Sequence, residues 1–305
     1  MKPTFLTTSV GTLLLGVVSP LLAGQMVVDP PPAAAASGVF SHEIEASYNA
    51  STGARSNVSS TRDANVSEQN THFQYVLGYA TTGKPILRMG FGYDRYDFGF
   101  TGPGLIPGAL QSLNVIAGID LKLGDFLIRL EAQPGFYGDN RGFNSSDFNI
   151  PVILGASYLV SKDVQWIAGL YFNPNSSYPI MGGLGVRWKM SDRWVLNFVP
   201  PNPRLEFKAT DDLTLYAGGQ IISSTFRVNK NFGTGPGGRN YGNAVVDFTE
   251  VRTGAGASWK VFGKGTLDAE LGYMAYRNFD YHKIGDNFQS KSGSFYGQMG
   301  LKMGF

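Results

Sequence analysis

The sequence predicts an all-β protein, a transmembrane antiparallel up-and-down β-barrel of about 14 strands, with 12 as the alternative count. Three observations carry this. From residue 39 onward the chain breaks into segments of alternating polarity separated by turn residues, the period-two pattern of strands with one apolar and one polar face. The connections between those segments alternate short and long, as they do when tight turns close one end of a barrel and loops decorate the other. No stretch approaches the roughly 20 apolar residues of a membrane helix, so a crossing must be made by strands.

Taken in order, the chain opens with Lys2 and an apolar run over residues 13–23, too short to span a bilayer and read as a secretory signal peptide over 1–23. Cleavage after Ala23 and cleavage within the run from Ala33 to Ala36 both fit, and both stay open. Residues 24–38 form a Pro/Ala-rich segment, and 39–305 the barrel. The cleanest strand is 39–50, with Phe40, His42, Ile44, Ala46, Tyr48 and Ala50 on one face and Ser41, Glu43, Glu45, Ser47 and Asn49 on the other. Further strands are expected at 68–80, 85–98, 112–122, 125–137, 147–160, 164–173, 178–190, 193–199, 203–209, 213–228, 244–259, 265–277 and 292–305. The pair flanking Pro200 is the shortest, and if 193–209 does not form a hairpin the count falls to 12.

The turns at 81–84, 123–124, 161–163, 191–192, 210–212 and 260–264 are tight. Those at 51–67, 99–111, 138–146, 229–243 and 278–291 are expected as long polar loops, and two on the same side, 175–177 and 200–202, are short. All four tryptophans, Trp166, Trp188, Trp194 and Trp259, fall beside short turns and on apolar faces, the pattern of an aromatic girdle at a membrane interface.

Composition narrows the chemistry. Forty glycines, 21 Phe and 15 Tyr with only 16% charged residues suit many short strands, and a net charge of +2 argues against a nucleic-acid partner. The absence of cysteine excludes disulfides, thiolate metal sites and a Cys nucleophile. No metal or other cofactor is expected. The polar faces point into the lumen, where Arg88, Asp94, Asp120, Arg129, Glu131, Arg187, Lys189, Glu250, Arg252 and Glu270 are the candidate pore-lining residues. Acids and bases there balance, so the interior holds either water or a web of ion pairs, and a pore of this kind would be weakly selective. Glycines on the polar faces, such as Gly254 and Gly256, leave space for a pore or permit a bent wall; both readings stand.

Catalytic residues are not expected. The histidines are His42 on the apolar face, His72 on the polar face within reach of Glu68 or Asp94, and His282 in a loop. The run from Gly233 to Gly238 lacks the strand-to-helix setting of a phosphate loop and reads as a surface loop.

The last strand carries a resemblance. Phe295, Met299, Leu301, Met303 and Phe305 share one face of a segment that stops on its aromatic. This is similar to the closing strand of Gram-negative outer-membrane β-barrels, and together with the loop alternation the region 39–305 resembles porin-like barrels, including families of unknown function. The resemblance implies residence in the outer membrane, contact with its lipid and lipopolysaccharide, and a terminal strand read as an assembly signal by the barrel assembly machinery. Fourteen strands also resembles the long-chain fatty-acid transporters, but residues 24–37 are too short and Pro/Ala-rich to be their plug. The expected function is a passive, weakly selective pore for small hydrophilic solutes. The alternative is a closed structural or surface-recognition barrel whose loops bind a partner, and an outer-membrane enzyme ranks below both.

Overall fold

The computed structural model describes residues 40–305 apart from 60, 81–84, 103, 140–141, 235–237 and 262–263. The expected signal peptide, the Pro/Ala-rich segment, the turn at 81–84 and part of the glycine-rich loop lie outside the described residues.

Fourteen strands close into one barrel in sequential order: β1 Phe40–Ser59, β2 Arg62–Ala80, β3 Ile86–Gly99, β4 Ala109–Leu123, β5 Phe126–Ala132 resuming at Gly135–Asp139, β6 Phe148–Asn149 resuming at Val152–Leu159, and β7 Val164–Phe172. There follow β8 Ile180–Lys189, β9 Trp194–Phe198, β10 Arg204–Lys208, β11 Leu213–Arg227, β12 Val245–Val261, β13 Gly265–Tyr281, and β14 Asp286–Gln289 resuming at Ser294–Gly304. Closure is made by β14 against β1, from Glu43 opposite Gly304 to Ser51 opposite Tyr296. The hairpin flanking Pro200 forms, with Val195 opposite Glu206 and Asn197 opposite Arg204, which settles the count at the higher value. The breaks in β5 and β6 fall at Pro134 and Pro151, which have no N–H for the ladder. The wall stays bonded across them through Val115 N–H to Pro134 O and Gln133 N–H to Pro151 O, both 2.9 Å.

The outer face is apolar. Leu271 is 76% exposed, Phe295 71% and Leu184 71%, values that in water would be costly over so large a continuous area but that lipid removes. Trp166, Trp188, Trp194 and Trp259 all project from this face beside the short turns, joined by Phe40, Tyr79, Phe126, Tyr158 and Phe305. The described short turns lie together at one end, the lower end of the barrel, and the strand extensions at the other.

Two of the expected long loops are strand instead. β1 and β2, 20 and 19 residues long, run on through most of 51–67, and β13 and β14 fill most of 278–291. About 10 residues cross a bilayer; β1–β4 and β11–β14, 14–20 residues in all but the interrupted β14, exceed that length, whereas β9 and β10, of five residues each, fall short of it. The extensions were read as loops because their outward residues are polar; the inward ones, such as Val58, Val66, Phe279 and Phe288, are fully buried. They curl over the lumen as a dome, meeting where Arg227 of β11 lies beside Gly138 of β5, the one parallel bridge among the described residues.

Candidate functional site: a lumen wet below and sealed above

The dome is filled by a hydrophobic core in which Tyr96, Phe98, Phe226, Phe248 and Phe279 interlock with Val58, Val66, Leu110, Tyr281 and Phe288. Phe248 is central, with ring centroids 5.0 Å from Tyr96, 5.3 Å from Phe98 and 5.3 Å from Phe279. Leu105 and Ile106 dip in from the β3–β4 loop, tied by Leu105 N–H to Val58 O at 2.6 Å, and Tyr241 enters from the β11–β12 loop. At this level the interior is as dry as that of a soluble domain.

Directly beneath lies a charged quartet. Arg277 donates from Nε to Glu250 at 2.5 Å and from Nη2 to Glu68 at 2.6 Å, while Arg252 donates from Nε to Glu250 at 2.7 Å and from Nη2 to Glu68 at 2.9 Å. All four side chains are 0–2% exposed. Two acids and two bases leave no net charge, and each carboxylate is shared by both guanidiniums, which offsets the desolvation cost of burying ions. The ring of Phe98 lies 5.8 Å from the Arg277 guanidinium, so core and quartet are in contact.

Below the quartet the lumen opens into a cavity of about 130 Å³. Glu45, His72, Asp94, Arg204, Asp268, Glu270, Gln298 and Lys302 line it, with Asn70, Asn202 and Gln220 on its upper side. The side chains of Lys302 and Arg204 are half-exposed, as are Glu43 and Lys208 nearer the rim, so this end is hydrated. Glycines here leave room for neighbouring rings more than for solute. A Cβ on Gly256 would lie 2.6 Å from the Tyr216 ring and one on Gly272 2.7 Å from the Tyr296 ring.

The candidate pore-lining residues divide into groups. Arg88, Asp120, Arg129 and Glu131 come together on β3–β5: Arg88 holds Glu43 through two bonds of 3.0 and 2.9 Å, lies 3.8 Å from Asp120 and 3.6 Å from Glu131, and Arg129 grips Asp120 through two bonds of 2.7 Å. Glu250 and Arg252 belong to the quartet. Asp94 and Glu270 line the cavity, Glu270 accepting the Tyr296 hydroxyl. Arg187 is half-buried on β8, opposite Gln165 and Asn197, and joins none of these groups. Lys189 sits at the lower rim, beside a short turn, paired with Asp192 at 2.8 Å.

Arg277 and Glu68, half of the quartet, were not among the candidates. Alternation counted back along β13 from the last strand points Arg277 outward, but a bulge opposite Val251–Arg252 shifts the phase by one residue. Glu68 sat at what was expected to be a loop boundary. His72 meets Asp94, not Glu68, through Nδ1 at 2.9 Å. Ser112 donates to the same carboxylate at 3.4 Å instead of to the imidazole, which is not the nucleophile-to-base order that covalent catalysis needs. Among the described residues no grouping of three or more His, Asp or Glu side chains could hold a metal ion.

No protein-family model matches the sequence, and no curated protein matches it. Among solved structures the chain is similar to an outer-membrane channel from Pseudomonas putida F1, at 13% identity over 91% of this chain and 100% of that one, with a TM-score of 0.49. It is similar to a mutant of the TodX monoaromatic hydrocarbon channel at 8% identity over 89% and 91%, with a TM-score of 0.48. A translocator domain of the autotransporter NalP from Neisseria meningitidis is 11% identical over 93% and 92%, with a TM-score of 0.37.

Proposed function

We propose that the protein is an outer-membrane channel, a passive and weakly selective conduit for small hydrophilic solutes whose outer mouth is shut in this state. The observation that carries the reading is the polar cavity below the quartet, with ionised side chains of both signs half-exposed towards the periplasmic end. A barrel serving only as a wall would gain by filling that space with apolar side chains, since each buried methylene adds roughly 0.8 kcal/mol. The mixture of signs, with no ring of one charge, supports weak selectivity. Placement in the outer membrane is supported by the lipid-facing apolar band, the tryptophan girdle and the outward set Phe295, Met299, Leu301, Met303 and Phe305, the face through which assembly machinery would read the terminal strand. The reading involves no catalytic step and no cofactor.

Planar-bilayer recording tests it. Purified, heat-modifiable protein should give discrete, infrequent openings with little preference between cations and anions; folded protein that never conducts would overturn the channel. The second reading, a closed barrel that recognises a partner outside the cell, is favoured by the dome, which carries eight strands beyond the membrane. Fractionation tests location, which fails if the protein is absent from the outer membrane.

A further inference from the structure

We infer that the way through this barrel skirts the dome, running along the seam between β11–β12 and the low wall of β6–β8 beneath the 173–179 loop, and that it passes small polar solutes, neutral ones ahead of charged. The inference rests on the channel reading and specifies its route.

Opening the dome itself would part the interlocked aromatic core and expose a quartet in which every carboxylate is bonded to two guanidiniums. The seam is held by much less. The five-residue strands β9 and β10 stop partway up the wall, so between Pro203 and the bridge of Arg227 to Gly138 of β5 the far edge of β11 has no strand paired to it. Its ties on that side are Gly219 N–H to Pro203 O and Ile221 N–H to Pro201 O, at 2.9 and 3.0 Å, and at the top the Arg227 bridge, beyond which Asn229 N–H donates to Asp139 at 3.1 Å. Higher up, the 173–179 loop leans onto the outward face of β11–β12. It meets the dome at one carboxylate, Asp247, which accepts Ser177 N–H at 2.7 Å and the Ser176 hydroxyl at 3.5 Å while its other oxygen holds Thr225 at 2.5 Å.

The loop is a preformed unit. Asn173 N–H donates to Pro179 O at 2.8 Å, Ser176 N–H to Asn173 O at 3.2 Å and Asn175 N–H to the Asn173 side chain at 3.1 Å, so it can swing without unfolding. Under it lies a cavity of about 10 Å³, room for one water, lined by Asn149, Asn175, Ser146 and Thr225. Asp147 and Arg227, one charge of each sign, also line it, Asp147 accepting Asn144 N–H at 2.8 Å and Arg227 donating to Asn243 O at 2.7 Å. Amides and hydroxyls can exchange hydrogen bonds with a polar solute, whereas an ion of either sign meets a like charge beside its counter-charge and gains little to offset its desolvation. His282 Nδ1 lies 3.4 Å from Asp247, and Asp280 stands opposite Asp247 on β13.

The absence of native cysteine makes the route testable by labelling. In liposome-swelling assays with glycerol, an Asp247→Asn variant should swell about tenfold faster than the parent, and a charged solute of similar size should enter more slowly. An Asn149→Cys variant in the Asp247→Asn background should lose most of its swelling rate on reaction with a neutral methanethiosulfonate reagent, while a Val246→Cys variant, in the dome core, should keep it. Block at Val246→Cys with none at Asn149→Cys would overturn the seam and leave the channel reading intact. No swelling by any variant that shows a heat-modifiable, folded band would overturn the channel reading, and this route with it.

Discussion

Replacing Glu250 by Gln should destabilise the barrel by about 3–5 kcal/mol, because it strands a guanidinium in a place water does not reach. The magnitude follows from the geometry. Glu250 contacts both Arg252 and Arg277, with Nε donors at 2.7 and 2.5 Å, and shares that site with one like charge, Glu68. Two unit charges about 4 Å apart attract by roughly 4 kcal/mol at an effective dielectric constant near 20. Losing two attractions and one repulsion of that size leaves a net loss of about one pair, in line with the range measured when a buried ion pair loses one partner. Restoring the balance with Arg277→Met should recover most of it, since that side chain then buries no unmatched charge. Urea unfolding from lipid bilayers, followed by tryptophan fluorescence, reads the loss, as all four tryptophans sit at the opposite rim and report the barrel as a whole. A cost below about 1 kcal/mol for Glu250→Gln would mean that water solvates the quartet, and the sealed lumen would be refuted.

The remaining predictions address the membrane face, the dome and its loops. Leu271→Arg should cost about 2–4 kcal/mol in a bilayer, against under about 0.5 kcal/mol if that face were in water, a difference the same unfolding assay resolves. Brominated lipids should quench the four tryptophans most strongly when the bromines lie near the headgroups of one leaflet, and strong quenching from the bilayer centre would refute the girdle. Phe248→Ala should cost about 3–5 kcal/mol alone, and because Phe98 links that ring to Arg277 the double variant with Glu250→Gln should cost less than the sum by about 1 kcal/mol or more; strict additivity would separate core from quartet. In the outer loops the Tyr241 hydroxyl, and then Arg239 at 2.6 Å, hold the Asp286 carboxyl below its usual range. A lowered carboxyl lends stability that is complete above its unfolded value, about 4, and lost as pH falls through the folded value. Amide exchange at residues 239–243, corrected for intrinsic rates, should therefore rise only in that acid range.

What the sequence shows of this molecule depends on how far alternation can be counted without interruption. In β1 up to Ser51, and in β2 and β3, the phase runs unbroken, and Glu45, Arg88 and Asp94 share the inward face that alternation gives them. Across the bulge in β13 the count slips, and Arg277, one of the largest fully buried side chains, was missed. The dome was illegible for a different reason. Its outward residues face water, so each extension alternates polar with small or apolar residues over only a few positions and carries the composition of a loop. What makes Val58 and Val66 strand residues is their packing with Phe98, Phe279 and Phe288, and Ala54 its packing with Met274 and Tyr296, from chain segments far away in sequence, which local pattern cannot register.

The two seals explain each other. A quartet of ions in a water-filled lumen would be an ordinary set of hydrated pairs worth little; the same quartet beneath an aromatic core is cut off from water above and draws strength from the low dielectric around it. The core in turn rests on a neutral floor, because an uncompensated charge there would draw water into its lower face. This mutual support makes the dome an all-or-none element, closed or unfolded, and therefore a poor gate: a gate needs two states separated by a few kcal/mol. The 173–179 loop, internally bonded and latched to the dome at one carboxylate, has an interaction of that size, which is why the low side of the wall, and not the capped end, is where this barrel can open and close.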